Sequence, residues 1–340
     1  MTTPDIDAIS KSLVAPGKGI LAADESTGTI KKRLDSIGVE STADSRRAYR
    51  ELLFTASGLS DHVSGVILYD ETIRQKTEGG VPLGNLLSDQ GVHPGIKVDT
   101  GAKVLASSPE EQVTEGLDGL RERLAEYAGL GAKFTKWRAV LKIAHAKPSP
   151  YCLDANTNAL ARFAALSQEA GLVPIVEPEV LMDGEHSIER CQRKTAKALQ
   201  ALFEALFRHR VRLEGTLLKP NMVISGLACE TQADSEEIAA RTIETLRRHV
   251  PAAVPGIVFL SGGQSEEEAT RNLNAINALG PQPWQLSFSY GRALQQSALK
   301  AWGGEAANVA AAQAILAHRA RMNGASRDGS YKAEMEKEAA

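Results

Sequence analysis

The chain has 340 residues, 43% of them hydrophobic and 24% charged, with a formal net charge of −3. That balance is ordinary for a soluble globular protein, and it argues against nucleic acid or an anionic membrane as the partner while leaving room for local basic pockets. Three cysteines, Cys152, Cys191 and Cys229, lie far apart with no CxxC pair, so neither a disulfide framework nor a zinc cluster is implied and the usage suits a reducing cytosol. The N-terminal MTTPDIDAIS has neither the basic start nor the apolar stretch of a secretory signal, and no later run is apolar over the length of a bilayer span. Ile6–Val14 is predicted to form a short helix closed by Pro16-Gly17. Gly19–Ala23 reads as a first strand with a polar loop, Asp24 to Gly28, at its exit. A helix over Ser45–Thr55 follows, then strands over Val63–Tyr69 and His93–Asp99. Pro109–Tyr127 has helical spacing with polar faces, and Phe134–Ile143 is the fourth strand.

Ala155–Ala170 carries Ala, Leu and Phe at helical spacing, and Leu172–Val180 is the fifth strand. His186–Arg210 is a long helix, and Gly215–Leu218 is a short buried strand that Pro220 stops. Ser235–His249 is a helix, Ile257–Leu260 and Gln285–Tyr290 are strands seven and eight, and Ala306–Met322 is an Ala-rich helix. The polar tail from Asn323 is expected to be mobile. Eight strand-like runs alternating with helical patterns indicate a parallel α/β sheet, and eight such units close into a (β/α)8, or TIM, barrel. An open doubly wound sheet is the alternative, but no GxGxxG or GxxxxGK[ST] follows any strand. With no linker and no low-complexity segment, residues 1–340 read as a single domain: a barrel over about 19–303, then a C-terminal helix and tail over about 304–340.

Lys219, at the mouth of its apolar strand, draws attention because lysine is rarely buried without a reason. Burial disfavours its charged form and so favours a nucleophilic amine; the alternative is a lysine that reaches solvent from a strand end. Ionisable residues recur at the same end of other strands: Asp24 after the first, Lys97 and Asp99 on the third, Lys136 and Arg138 on the fourth, Glu177 and Glu179 on the fifth, and Arg292 after the eighth. Strand residues two apart share a face, so Lys136 with Arg138, and Glu177 with Glu179, are expected to project together into the barrel mouth. Lys97, Lys136 and Arg138 would crowd Lys219 with positive charge, and Asp24, Glu177 and Glu179 would offset it and move protons. A buried structural ion-pair network fits the same residues. Two further loops suit an anion: Ser261-Gly262-Gly263 running into the S-x-x-E capping box at Ser265, and Ser289-Tyr290-Gly291-Arg292 after the last strand.

Seven motifs in order carry a resemblance: GILAADESTGTI (Gly19–Ile30), PGIKVD (Pro94–Asp99), KWRAVLKI (Lys136–Ile143), VPIVEPEVLMDG (Val173–Gly184), VRLEGTLLKPNM (Val211–Met222), FLSGGQSEEEAT (Phe259–Thr270) and WQLSFSYGRALQ (Trp284–Gln295). Together the chain closely resembles the class I, metal-independent fructose-bisphosphate aldolases. The resemblance implies Lys219 as the Schiff-base lysine, Glu177 as proton donor and acceptor, Asp24 and Lys136 as a supporting pair, and Glu179 as the carboxylate that neutralises the lysines. It implies Ser261, Gly262, Gly263, Ser289, Gly291, Arg292 and Arg33 around the C1 phosphate, and Lys97, Ser26 and Arg138 toward the C6 phosphate. It further implies phosphorylated ketose and triose substrates, no cofactor, a cytoplasmic homotetramer, and a role in glycolysis and gluconeogenesis. The seven histidines are scattered without ligand spacing, in keeping with a site that needs no metal. A Schiff-base aldolase for another phosphorylated ketose is the alternative. One departure stands out: many members end in a tyrosine that assists proton exchange at the site, whereas here the tail's tyrosine is Tyr331 and the chain ends Met335 to Ala340.

Overall fold

The structure, a computed structural model, describes residues 5–337. The elements run α1 (Ile6–Leu13), β1 (Gly19–Ala22), α2 (Thr27–Asp35), α3 (Ala43–Phe54), α4 (Leu59–His62), β2 (Val63–Leu68), α5 (Asp70–Arg74), α6 (Leu83–Asp89) and β3 (His93–Lys97). A hairpin of β4 (Gly101–Leu105) and β5 (Ser108–Glu115) precedes α7 (Leu120–Gly129), β6 (Phe134–Leu141), α8 (Pro150–Glu169), β7 (Val173–Val180), α9 (Ile188–Arg208) and β8 (Leu217–Leu218). Then come α10 (Ser235–His249), β9 (Gly256–Phe259), α11 (Glu266–Ala278), β10 (Gln285–Tyr290), α12 (Arg292–Trp302) and α13 (Val309–Arg327). Eight strands close into a parallel barrel in the order β1-β10-β9-β8-β7-β6-β3-β2, so the expected barrel is found and the open sheet is not.

The period of two along each strand divides the barrel into a dry lower half and an ionisable mouth. On β7 the inward face reads Val173, Ile175, Glu177, Glu179; on β6 it reads Phe134, Lys136, Arg138; on β1 it runs Ile20, Ala22 and on to Asp24. Leu217 of β8 is followed on the same face by Lys219. The lower apolar residues form their own cluster with Leu13 and Val14, which plug the N-terminal end of the barrel. Space for that plug exists because strand glycines withdraw: a Cβ at Gly65 would lie 2.7 Å from Leu13, and one at Gly256 would lie 2.5 Å from Val14. Asp5 starts α1 by accepting from Asp7 N and Ala8 N, satisfying donors that a helix N-terminus leaves free. A larger core lies between strands and helices, where Trp137 of β6 stacks on Phe163 of α8 with ring centroids 5.7 Å apart. Sealed below, the inward ionisable groups can meet a ligand only from the C-terminal end.

Two expectations are overturned. Pro109–Tyr127 is not a helix: β5 pairs antiparallel with β4, and helix begins only at Leu120. The reason is Glu111, which spacing reads as part of a solvated face but which is buried and accepts from Ser108, Lys147 and Ser149. The tail from Asn323 is also held in place. Asn323 is fully buried inside α13, and Glu336 accepts from Arg319 at 2.6 Å and from the Tyr331 hydroxyl at 2.9 Å, with the His318 ring at 2.9 Å. Burial, reinforced by that bond to Glu336, pushes the Tyr331 hydroxyl up to about 12. The last three residues of the tail, Glu338 to Ala340, lie outside the described residues.

Candidate active site

Lys219 sits where the shortest strand ends. Its N–H donates to Val176 O at 2.9 Å, the last ladder bond before Pro220, which has none to give. The side chain is 5% exposed and its Nζ lies 3.3 Å from Glu177 Oε1. Glu177 Oε2 lies 3.5 Å from Lys136 Nζ and has no hydrogen-bond partner among the described residues. Lys136 in turn lies 2.6 Å from Asp24 Oδ2, so Lys219, Glu177 and Lys136, all buried, and the partly exposed Asp24 form one chain of alternating charge. Burial alone would raise the Asp24 carboxyl, but the ammoniums of Lys136 and Lys219 outweigh it and hold Asp24 well below the usual carboxylate range. Burial alone would lower Lys136, but Asp24, Glu177 and Asp99 outweigh it and hold Lys136 above an ordinary lysine.

The mouth holds its cations beside carboxylates, the offset that the strand-end residues predict. Lys97 is tied to Asp99 at 2.6 Å, and Arg138, half-exposed at the rim, pairs with Glu179. Each flanking cation has its own carboxylate because strand parity delivers both signs to the same face, and Glu177 is the group in contact with Lys219.

A cavity of about 240 Å³ opens above these groups. Six cationic side chains (Arg33, Lys97, Lys136, Arg138, Lys219, Arg292) and four carboxylates (Asp24, Glu25, Glu177, Glu179) line it, an excess that suits a phosphorylated ligand. The N-terminus of α12 opens onto the cavity at Gly291 and Arg292, and an added Cβ at Gly291 would lie 3.3 Å from Ala22 O. Ser289 Oγ lines the same wall, buried and without a hydrogen-bond partner among the described residues. Ser261 and Gly262 line the cavity beside α11, whose Ser265–Glu268 capping box forms as the sequence predicts. A Cβ at Gly262 would meet Met182 Cε, so a side chain there would require Met182 to move aside.

This arrangement sets a buried lysine against a carboxylate beneath a rim with an excess of cationic side chains. A sequence model described as fructose-bisphosphate aldolase class-I matches residues 5–340. The chain belongs to the class I fructose-bisphosphate aldolase family. It is 56% identical over 333 residues to the probable fructose-bisphosphate aldolase class 1 of Xanthomonas campestris, covering 98% of this chain and 100% of that one. It is 54% identical over 336 residues to the muscle-type fructose-bisphosphate aldolase of Lethenteron camtschaticum, covering 97% and 93%. Among solved structures it is similar to the Plasmodium falciparum fructose-bisphosphate aldolase in complex with TRAP and a small molecule inhibitor. That likeness has a TM-score of 0.95 and 51% identity over 98% of this chain and 99% of the other. Enzymes of this family are carbon–carbon lyases.

For an aldolase of this class the barrel brings together all the sequence-predicted site residues except one. Asp24, Ser26, Arg33, Lys97, Lys136, Arg138, Glu177, Glu179, Lys219, Ser261, Gly262, Ser289, Gly291 and Arg292 all line the cavity. Gly263 does not: its φ is +77, and an added Cβ would lie 2.5 Å from Met182 Cγ. Four lining residues, Ala22, Glu25, Thr29 and Leu260, are not among those the sequence singles out. Thr29 lies in the first turn of α2, three residues after the N-cap Ser26, and its hydroxyl is 3.1 Å from that of Ser26. Glu25 adjoins Asp24, and alternation alone points it away from the mouth. Among the described residues no group of three or more His, Cys, Asp and Glu side chains could hold a metal ion, and no helix is long and apolar enough to cross a membrane.

Proposed function

We propose that Lys219 is the nucleophile of a reversible cleavage of fructose 1,6-bisphosphate into dihydroxyacetone phosphate and glyceraldehyde 3-phosphate. The observation that carries this is the buried contact between Lys219 Nζ and Glu177 Oε1 at 3.3 Å. Attack needs an uncharged amine, and Glu177 is the group in reach to take its proton. Lys219 adds to the C2 ketone, and the carbinolamine loses water with a proton from Glu177 to give an iminium. Glu177 then accepts the C4 hydroxyl proton; the C3–C4 bond breaks, its electrons pass to the iminium nitrogen, and glyceraldehyde 3-phosphate leaves. The enamine takes a proton at C3, and water releases dihydroxyacetone phosphate and restores Lys219. The cationic nitrogen supplies the electron sink, so the scheme uses no metal and no cofactor.

Asp24 and Lys136 support the proton transfers through their 2.6 Å contact, and Glu179 offsets the rim charge through Arg138. Ser261, Gly262, Ser289, Gly291, Arg292 and Arg33 take the C1 phosphate, with Gly263 shaping the loop. Ser26, Lys97 and Arg138 take the C6 phosphate. The working form is a cytoplasmic homotetramer of glycolysis and gluconeogenesis, which light scattering of the purified protein checks for assembly.

Borohydride reduction in the presence of dihydroxyacetone phosphate is the test. It should leave a stable adduct on Lys219, located by peptide mass spectrometry, and none on Lys219→Met. An unmodified Lys219 in an otherwise folded wild type refutes the scheme. Faster turnover of fructose 1,6-bisphosphate than of fructose 1-phosphate separates this reading from an aldolase for another phosphorylated ketose, and activity that survives EDTA is expected.

A further inference from the structure

Behind the rim lies an ion triad of which the scheme above uses only Arg33. Glu25 is 7% exposed and pairs through Oε1 with Arg33 Nη1 and through Oε2 with Arg50 Nη2, the latter at 2.5 Å. Arg50 comes from α3 and is 2% exposed, and its Nη1 has no hydrogen-bond partner among the described residues. Arg33 keeps its other nitrogen toward the cavity: Nη2 is 3.6 Å from where a Cβ on Gly291 would stand. A buried guanidinium is costly unless it is needed, and one carboxylate would suffice to pair Arg33. With Glu25 alone, however, the pair would be neutral, and Arg33 would offer little net charge to a phosphate.

We propose that Arg50 is a positioning residue of the phosphate site: it takes up the charge of Glu25, so that Glu25 can fix Arg33 in place without cancelling its attraction for a phosphate group. This rests on the reading of the cavity as an aldolase site, and it deepens that reading. The electrostatics agree. Burial alone would raise the Glu25 carboxyl, but Arg50 first and Arg33 second outweigh it and hold it ionised.

The test is inorganic phosphate titrated calorimetrically into the resting enzyme, with kcat and KM for fructose 1,6-bisphosphate measured alongside. Arg50→Met should weaken phosphate binding and raise KM by about tenfold while kcat stays within about threefold, because one charge is lost at the site and none at Lys219. Adding Glu25→Gln to Arg50→Met removes the uncompensated carboxylate and should restore phosphate affinity to within about threefold of wild type. Arg50→Lys keeps the charge and should also stay within about threefold. If the double variant binds phosphate no better than Arg50→Met, the proposal is overturned. Should Arg50→Met not fold, the double variant and Arg50→Lys decide: phosphate binding weakened tenfold in either overturns it. Borohydride trapping on wild type keeps the two readings apart, since a missing adduct counts against the catalytic scheme and leaves the phosphate titration to judge Arg50.

Discussion

Glu177 meets Lys219 through one oxygen and Lys136 through the other, at 3.3 and 3.5 Å, so a proton moving on either lysine changes the field at both. Glu177→Gln keeps the shape and cannot accept a proton. Its kcat is expected to fall by about 10²–10⁴-fold while slow borohydride adduct formation at Lys219 persists; a kcat within tenfold of wild type would remove Glu177 from acid–base work. Asp24→Asn strips Lys136 of the carboxylate 2.6 Å away that most raises its proton affinity. The alkaline limb of the kcat profile should then move to lower pH, and an unmoved limb would detach this pair from the rate. These residues were legible because each ends an apolar strand with the right parity. Glu25 and Arg50 were not: one points away from Asp24 by alternation, and the other sits in a polar helix whose buried face a single sequence does not mark.

At the scale of elements, the β4–β5 hairpin is fastened to the loop before α8 by one carboxylate. Glu111 accepts from Ser108 Oγ at 2.8 Å, Lys147 Nζ at 3.0 Å, and Ser149 N and Oγ at 2.7 and 2.6 Å. Burial alone would raise it, but the Ser149, Ser108 and Lys147 donors outweigh that and lower it from 4.5 to about 2. Because the folded value lies below the unfolded one, the unfolded chain binds the proton more readily. The stabilisation is therefore complete above pH 4.5 and is lost as pH falls toward 2. Glu111→Gln should lower stability at pH 7 by on the order of 2 kcal/mol and flatten the acid limb of an unfolding-midpoint-against-pH curve. An unchanged acid limb would mean that this tie does not govern acid unfolding. The same cluster explains why a helix was expected here. With Glu111 turned inward and most other positions exposed, β5 has no apolar face to reveal a strand, whereas β6 and β7, which also turn charges inward, keep an apolar side with Trp137 and Val176 toward the helices. The short helices α2, α5 and α6 run only five to nine residues, too few turns for their apolar positions to establish a helical period.

Across the whole molecule, stability and chemistry occupy opposite ends of the barrel. Leu13 is fully buried in the lower plug, far along the strands from the ionisable mouth. Leu13→Ala should cost about 2–4 kcal/mol in a urea titration with kcat preserved; a matching loss of kcat would show that the two ends are not independent. The alternation of strand and helix made the closed sheet legible from the sequence, since eight parallel units have few other ways to bury both faces. What closes its floor was less so, because α1 looks like any short amphipathic helix until the glycines at 65 and 256 are seen to make room for it.

That floor leaves substrate and both products a single doorway. While one triose is still bonded to Lys219, the other must depart past it, so release is sequential. Glyceraldehyde 3-phosphate should act as a noncompetitive product inhibitor against fructose 1,6-bisphosphate, and dihydroxyacetone phosphate, which leaves last, as a competitive one.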